Sequence, residues 1–441
     1  MEISLAVVGA KLIDGLDSSP IPSSVVLVEK SGRIVAVGQT GELAVPEGIR
    51  TIEAAGMVLM PGLIDGHVHL TWDKTLYAVH AAGQHLESLN DPERHLVRAG
   101  HYAQTALAAG ITTLRDCGAN NFSVLALRDM IDAGNFVGPR ILASGKPVTT
   151  TAGHLYTDWG VDSVLEMKKA VRFLASNGVD FIKLIASGGT TTPRSNITRS
   201  QYTLQELSSA VNEAHRLGLQ VATHAISTDS IRLVAEAGVD TIEHCSWIGN
   251  DPKTIVTDER AVELMLESDV RVDHAIIPRL YLFPDENEET LSAEDEWWLN
   301  MLKVRWPFLH HMQEEGVTVF LGSDAAFGPW PGTGAWPGFQ DLARAVEIMV
   351  RWAGFTPMEA IAMVTREAAK ALCLDTEIGT VEKGKRADLI LLTEDPLADI
   401  RALREVAAVF RDGRIVANQG QVVVTGVQPT ATAPRGWELP V

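Results

Sequence analysis

Cysteine is scarce. The 441 residues hold three, Cys117, Cys245 and Cys373, scattered and odd in number. That argues against a disulfide framework and for free thiols in a reducing compartment. Basic residues are in deficit: 37 Lys and Arg stand against 56 Asp and Glu, a net charge of -19. Such a surface repels nucleic acid and anionic membranes, so neither is expected as a partner. No run of 18 apolar residues occurs, which leaves no candidate membrane helix. The stretch Met1 to Gly9 has no basic segment and no long apolar one. No secretory signal is expected there, and the cytoplasm is the expected location. A Gly-x-Gly-x-x-Gly turn after a strand is also missing, which weakens the case for a doubly wound dinucleotide-binding sheet.

What is present is an ordinary globular balance, 46% hydrophobic and 21% charged. Residues 1–56 read as short strands (5–8, 25–29, 33–37), with Ser31-Gly32 as a hairpin signal. From residue 57 the pattern changes. A strand at Leu63-Ile64-Asp65 is followed by helical periodicity at 93–109 and a strand at 111–114. Further strands at 140–143, 181–185, 220–223, 241–243, 270–277 and 317–321 alternate with amphipathic helices, most ending in glycine. Eight strands reached through crossovers make an α/β chain, and the expected fold is a (β/α)8 TIM-like barrel over 57–375. A doubly wound open sheet is the structural alternative. Two helices, 338–353 and 357–372, close this region. Strand character then returns at 387–392, 406–410, 414–417 and 421–424, with Asp412-Gly413 as a hairpin turn. The two ends, 1–56 and 376–441, are expected to pair as one small β-sandwich domain. Residues 428–441 read as a mobile or docked tail.

The stretch Pro61-Gly62-Leu63-Ile64-Asp65-Gly66-His67-Val68-His69 organises the rest. Residues i and i+2 of a strand share a face, so His67 and His69 can aim two imidazoles at one point, as a borderline divalent metal requires. In a barrel the strand ends meet on one rim. The fourth strand carries Lys183, the fifth ends in His224, the sixth in His244 and the eighth in Asp324. Each alone has a plainer reading: a satisfied core histidine, a snorkelling lysine, a helix-capping aspartate. Their recurrence at successive strand ends is hard to obtain from packing. A lysine buried there loses basicity, and its neutral amine can take up carbon dioxide as a carbamate.

These motifs, with Thr151-Ala152-Gly153-His154, Ile182 to Gly189, Ile242-Glu243-His244 and Gly379 to Leu389, resemble the amidohydrolase superfamily. The similarity is to the branch holding prolidase-like Xaa-Pro dipeptidases and imidazolonepropionase-related proteins. The resemblance implies a metal-dependent hydrolase with two divalent cations, zinc by default. His67 and His69 hold the first, carboxylated Lys183 bridges, His224 and His244 hold the second, and Asp324 ligates the first and shuttles a proton. It implies hydrolysis of an amide in a dipeptide or N-acyl compound, with His154 against the scissile carbonyl, and a tendency to homo-oligomers. The alternatives are a carbamate, thiocarbamate, urea or phosphotriester as substrate, or a catalytically silent metal-stabilised binding protein.

Two places depart from the prolidase pattern, His224-Ala225-Ile226-Ser227 and His274 to Leu280. They put the dipeptidase label in question and make His274 and Arg279 candidate substrate contacts. Arg194 is a candidate for a substrate carboxylate. Trp330 and Trp336 form an apolar wall, a lid or a subunit contact. His310-His311 is expected at the surface. Cys245 is expected to face away from the ligands, as the neighbour of a ligating strand residue.

Overall fold

The computed structural model describes residues 2–16, 18–72, 91–156, 158–192, 195–275, 293–326 (side chains from 296) and 338–423. Arg194, Arg279, the Trp330–Trp336 loop and the 428–441 tail lie outside the described residues.

Six short strands come first: β1 (Ile3–Val8), β2 (Lys11–Leu12), β3 (Ser24–Glu29), β4 (Ile34–Gln39), β5 (Arg50–Glu53) and β6 (Val58–Pro61). Strands and helices then alternate. The order is β7 (Leu63–Val68), α1 (Pro92–Ala108), β8 (Ile111–Asp116), α2 (Ser123–Asp132), β9 (Arg140–Ala143), α3 (Val164–Ser176), β10 (Phe181–Ile185) and α4 (Leu204–Arg216). It continues with β11 (Gln220–Ser227), α5 (Thr228–Ala237), β12 (Thr241–Ile248), α6 (Glu259–Glu267), β13 (Arg271–Asp273), α7 (Ala293–Glu314) and β14 (Val319–Phe320). After α8 (Leu342–Arg351), α9 (Pro357–Met363) and α10 (Arg366–Ala371) come β15 (Leu389–Leu392), β16 (Val406–Arg411), β17 (Arg414–Asn418) and β18 (Gln421–Val422).

The alternating region is an α/β structure with parallel sheets. Strands β7-β8-β9 form one, and β10-β11-β12-β13-β14 form the other. Strands β7, β8 and β10 are buried along their whole length, and they carry Asp65, His67, Arg115, Asp116 and Lys183 into the interior with them. Parallel bridges join the sheets on both sides, Val148 with Leu184 and Val68 with Ala325. The helices are capped as their sequences require. Thr203 and Glu206 form a reciprocal capping box on α4, and Gly238, at φ 75°, ends α5.

The chain ends behave differently from the middle. Strands β4-β3-β1-β5 form one sheet, while β18-β17-β16-β15-β6-β2 combines strands from both ends. Side chains of both sheets, Val7, Val26, Leu59, Leu391 and Phe410 among them, share one buried cluster. The apolar run before Pro61 pairs antiparallel with Leu389–Leu392, so the changeover between the two kinds of pairing falls at Gly62.

The helix expected over 357–372 is instead two. Thr365, at φ -132° and ψ -93°, breaks it, and its hydroxyl donates to the Ile361 carbonyl at 2.7 Å in place of the next helical bond. The helix expected from 338 starts at Leu342. His310 is half-buried and stacks on Phe355, ring centroids 3.7 Å apart. Its chain neighbour His311 meets Glu259 at 3.0 Å.

Candidate metal centre

His67 lies in β7 and His69 just beyond it. Their shared face is realised in the geometry: each Nε2 is 3.5 Å from the same Asp324 Oδ1. Asp324 follows β14 and comes into place because its N–H donates to the His67 carbonyl at 2.7 Å. Its φ of 49° lies in the left-handed region, a conformation that side chains other than glycine hold only when the surroundings fix it.

The other ring nitrogens are already occupied. His67 Nδ1 meets Asp273 Oδ2 at 2.8 Å, and His69 Nδ1 meets the Gly118 carbonyl at 3.0 Å. A carbonyl or carboxylate accepts, so in each ring Nδ1 carries the proton and Nε2 offers its lone pair towards Asp324.

Three more histidines extend the cluster. His224 at the fifth strand of this region and His244 at the sixth have ring centroids 4.6 Å apart, and His67 is 5.1 Å from His244. His224 Nε2 donates to the Gly188 carbonyl at 3.1 Å, which leaves Nδ1 as its lone pair. His154, in the turn after β9, has its ring centroid 4.6 Å from that of His224, the two rings tilted at 46°. Its Nδ1 is 2.8 Å from Thr192 Oγ1, which also accepts the Leu155 N–H at 3.2 Å. Burial first, then neighbouring positive charge, holds His67, His154, His224 and His244 well below the usual histidine range. They are neutral at physiological pH, the form that ligates.

Lys183 is buried in β10, with its Nζ against Glu243 Oε2. Burial pulls its amine down to about 8, while Cys117, Asp324 and Asp273 work in the other direction. His274 lies apart from the ring cluster, its Nδ1 3.2 Å from Arg305 Nη2.

Several charged residues that sequence reasoning passed over hold this arrangement. Arg115 spans three strands: its Nε donates to the Gly66 carbonyl at 2.6 Å, Nη1 to Thr241 at 3.1 Å and Nη2 to Glu243 at 3.0 Å. Asp65 and Asp273 accept the Ser323 and Gly322 N–H groups at 2.8 and 2.7 Å, pinning the turn that leads to Asp324. Asp116 accepts the Leu70 N–H at 2.7 Å beneath His69. Burial raises the carboxyls of Asp65 and Asp273 to about 7 and that of Asp116 to about 6. Their one sequence signal is an ionisable residue inside an apolar strand.

The donor set fits divalent cations. Neutral imidazoles with fixed tautomers converge with a carboxylate whose side chain is 14% exposed, so the cluster is open on the Asp324 side. His67, His69 and Asp324 place their ligating atoms within 4.8 Å of one another. His67, Cys117 and Glu243 do so too, but Glu243 is committed to Lys183 and Arg115. Cys245 is buried and its thiol is pushed up to about 12, which leaves it unreactive.

Comparison with known proteins bears on this centre. The model of the amidohydrolase family matches residues 58–416. The chain is 28% identical to ochratoxinase of Aspergillus niger, over 95% of this chain and 88% of that protein. It is 25% identical to imidazolonepropionase of Symbiobacterium thermophilum, over 92% of this chain and 93% of that one. The crystal structure of a putative prolidase from Bifidobacterium longum superposes with a TM-score of 0.76 at 29% identity, over 95% of this chain and 96% of that one.

Proposed function

Because this chain belongs to the amidohydrolase family and is a hydrolase acting on carbon–nitrogen bonds, we propose that it cleaves the amide of a small dipeptide or N-acyl substrate at a binuclear centre. The observation that carries this is the meeting of His67 and His69 Nε2 on one Asp324 oxygen, with the His224 and His244 rings beside them. In this reading the two parallel sheets close as an eight-stranded barrel over 57–375, and both chain ends make one β-sandwich domain.

His67, His69 and Asp324 would hold one divalent cation, His224 and His244 the other. Lys183, carboxylated on Nζ by carbon dioxide with release of a proton, would supply a further oxygen ligand. When bound, such cations would act as Lewis acids and lower the pKa of a water from ~16 towards ~7. The chain's own groups do the rest. Asp324 accepts the proton of the attacking water and passes it to the leaving nitrogen, as base and then acid. Thr192 Oγ1 already accepts from Leu155, so its hydroxyl hydrogen is free for His154 Nδ1, and His154 Nε2–H donates to the scissile carbonyl oxygen. A small-molecule substrate, a homo-oligomeric state and zinc as the metal complete the proposal.

The test is elemental analysis of the purified protein, followed by a panel of dipeptides and N-acyl amino acids with and without chelator. Two cations per chain and turnover that the chelator abolishes and zinc restores are expected. Amide turnover that persists after all metal is removed refutes the proposal.

A further inference from the structure

The backbone of β12 does something its sequence does not announce. Glu243 points inward, onto Lys183 and Arg115. In a regular strand the next residue faces away, yet the His244 ring lies among those of His224 and His67. The register shows how. Ala225 of β11 pairs with His244 and Ser227 with Ile248, so β12 takes four steps where β11 takes two. Three residues in that bulge are left-handed: His244 at φ 67°, Cys245 at 42° and Trp247 at 58°. A bulge re-aims a side chain, and a run of left-handed residues other than glycine persists only when neighbours hold it.

One neighbour is conspicuous. Arg305 of α7 is buried, and its Nη2 donates to the His244 carbonyl at 2.6 Å. The same nitrogen is 3.2 Å from His274 Nδ1. A guanidinium only donates, so His274 Nδ1 accepts and its Nε2 carries the hydrogen. The arginine thus grips the bulge of β12 through a peptide carbonyl and the end of the adjacent β13 through an imidazole. Burial draws its own basicity down to about 10, which leaves it charged at neutral pH.

We propose that Arg305 is a positioning residue: by holding the His244 carbonyl in the β12 bulge, it keeps His244 turned inward as a ligand of the second cation. This rests on the binuclear reading. His67, His69 and Asp324 do not touch Arg305, so the first cation's ligands are independent of it.

The experiment is zinc titration of the full-length protein against a chelator of known affinity, with visible absorption of the cobalt-loaded protein as a second readout. The chains compared are the wild type, Arg305→Met and Arg305→Lys. For Arg305→Met we expect the first cation bound as in the wild type, the second weakened about tenfold or more, and the cobalt spectrum of one site altered. Arg305→Lys keeps the charge but not the fork, and should recover part of the loss. A purely structural role would lower the thermal midpoint and leave the cation stoichiometry of the folded protein unchanged. Folded Arg305→Met that binds two cations with wild-type affinity overturns the proposal. If Arg305→Met does not fold, wild-type second-cation affinity in Arg305→Lys overturns it instead. A wild-type chain that binds fewer than two cations overturns the binuclear reading and this inference together.

Discussion

Replacing Asp273 by Asn should have two effects of opposite sign. Asp273 is buried among Arg115, Lys183 and Asp65, and burial raises its carboxyl from 3.8 to about 7. A raised folded value means that the unfolded chain releases its proton first. The destabilisation therefore grows as pH rises from about 4 to about 7 and is constant above that. The gap corresponds to about 4 kcal/mol at pH 8, borne by the metal-free protein. Asparagine carries no such charge, so metal-free Asp273→Asn should be more stable than the wild type at pH 8, and little different at pH 4. The second effect is on His67. Above pH 7 the carboxylate accepts from His67 Nδ1, 2.8 Å away, and from the Gly322 N–H. An asparagine oxygen can keep the Gly322 bond, but its amide nitrogen then faces Nδ1 and can only donate. His67 must carry its proton on Nε2, the nitrogen that faces Asp324. Loss of such an outer partner weakens metal binding about 10- to 100-fold, or about 1.4–2.7 kcal/mol. Denaturant unfolding of metal-free protein across pH 4–8 reads the first effect, and chelator competition reads the second. Unchanged cation affinity, or a metal-free variant less stable than the wild type at pH 8, would refute the reasoning.

Other changes separate the roles further. Asp324→Asn should keep its cations and lose about a hundred- to ten-thousand-fold in kcat; full activity in a metal-loaded variant would remove Asp324 as the proton shuttle. In the metal-free protein, where Lys183 is an unmodified amine, Glu243→Ala strands Lys183 and Arg115 without their shared carboxylate and should cost about 3–5 kcal/mol in denaturant unfolding. A loss under 1 kcal/mol would mean the buried pair is compensated elsewhere. Gly322→Ala places a methyl carbon 2.7 Å from the His67 backbone nitrogen. It should cost about 1–3 kcal/mol and weaken the first cation with it, which chelator competition would detect.

Much of the centre is legible along the chain. The alternation of strands and helices follows from hydrophobic periodicity. A histidine pair two residues apart shares one face wherever the strand is regular, so the pairing of His67 and His69 is legible in the sequence. Their meeting with Asp324 is expected from the recurrence of ligand-type residues at successive strand ends. The break at Thr365 was less legible, because the residues on both sides are good helix formers and one hydroxyl bond decides it.

The sequence by itself determined the ligand-type residues and the elements that carry them, because periodicity and residue chemistry are local properties. Tertiary structure alone decided what holds those residues in place. Asp273 fixes the His67 tautomer across 206 residues of chain, and Arg305 grips the His244 peptide across 61. The inward turn of His244 contradicts strict alternation and depends on the register between β11 and β12. Likewise β6 joins β15, more than 300 residues away. Register and long-range hydrogen bonds are set only when strands distant in sequence lie side by side, and no local pattern encodes them.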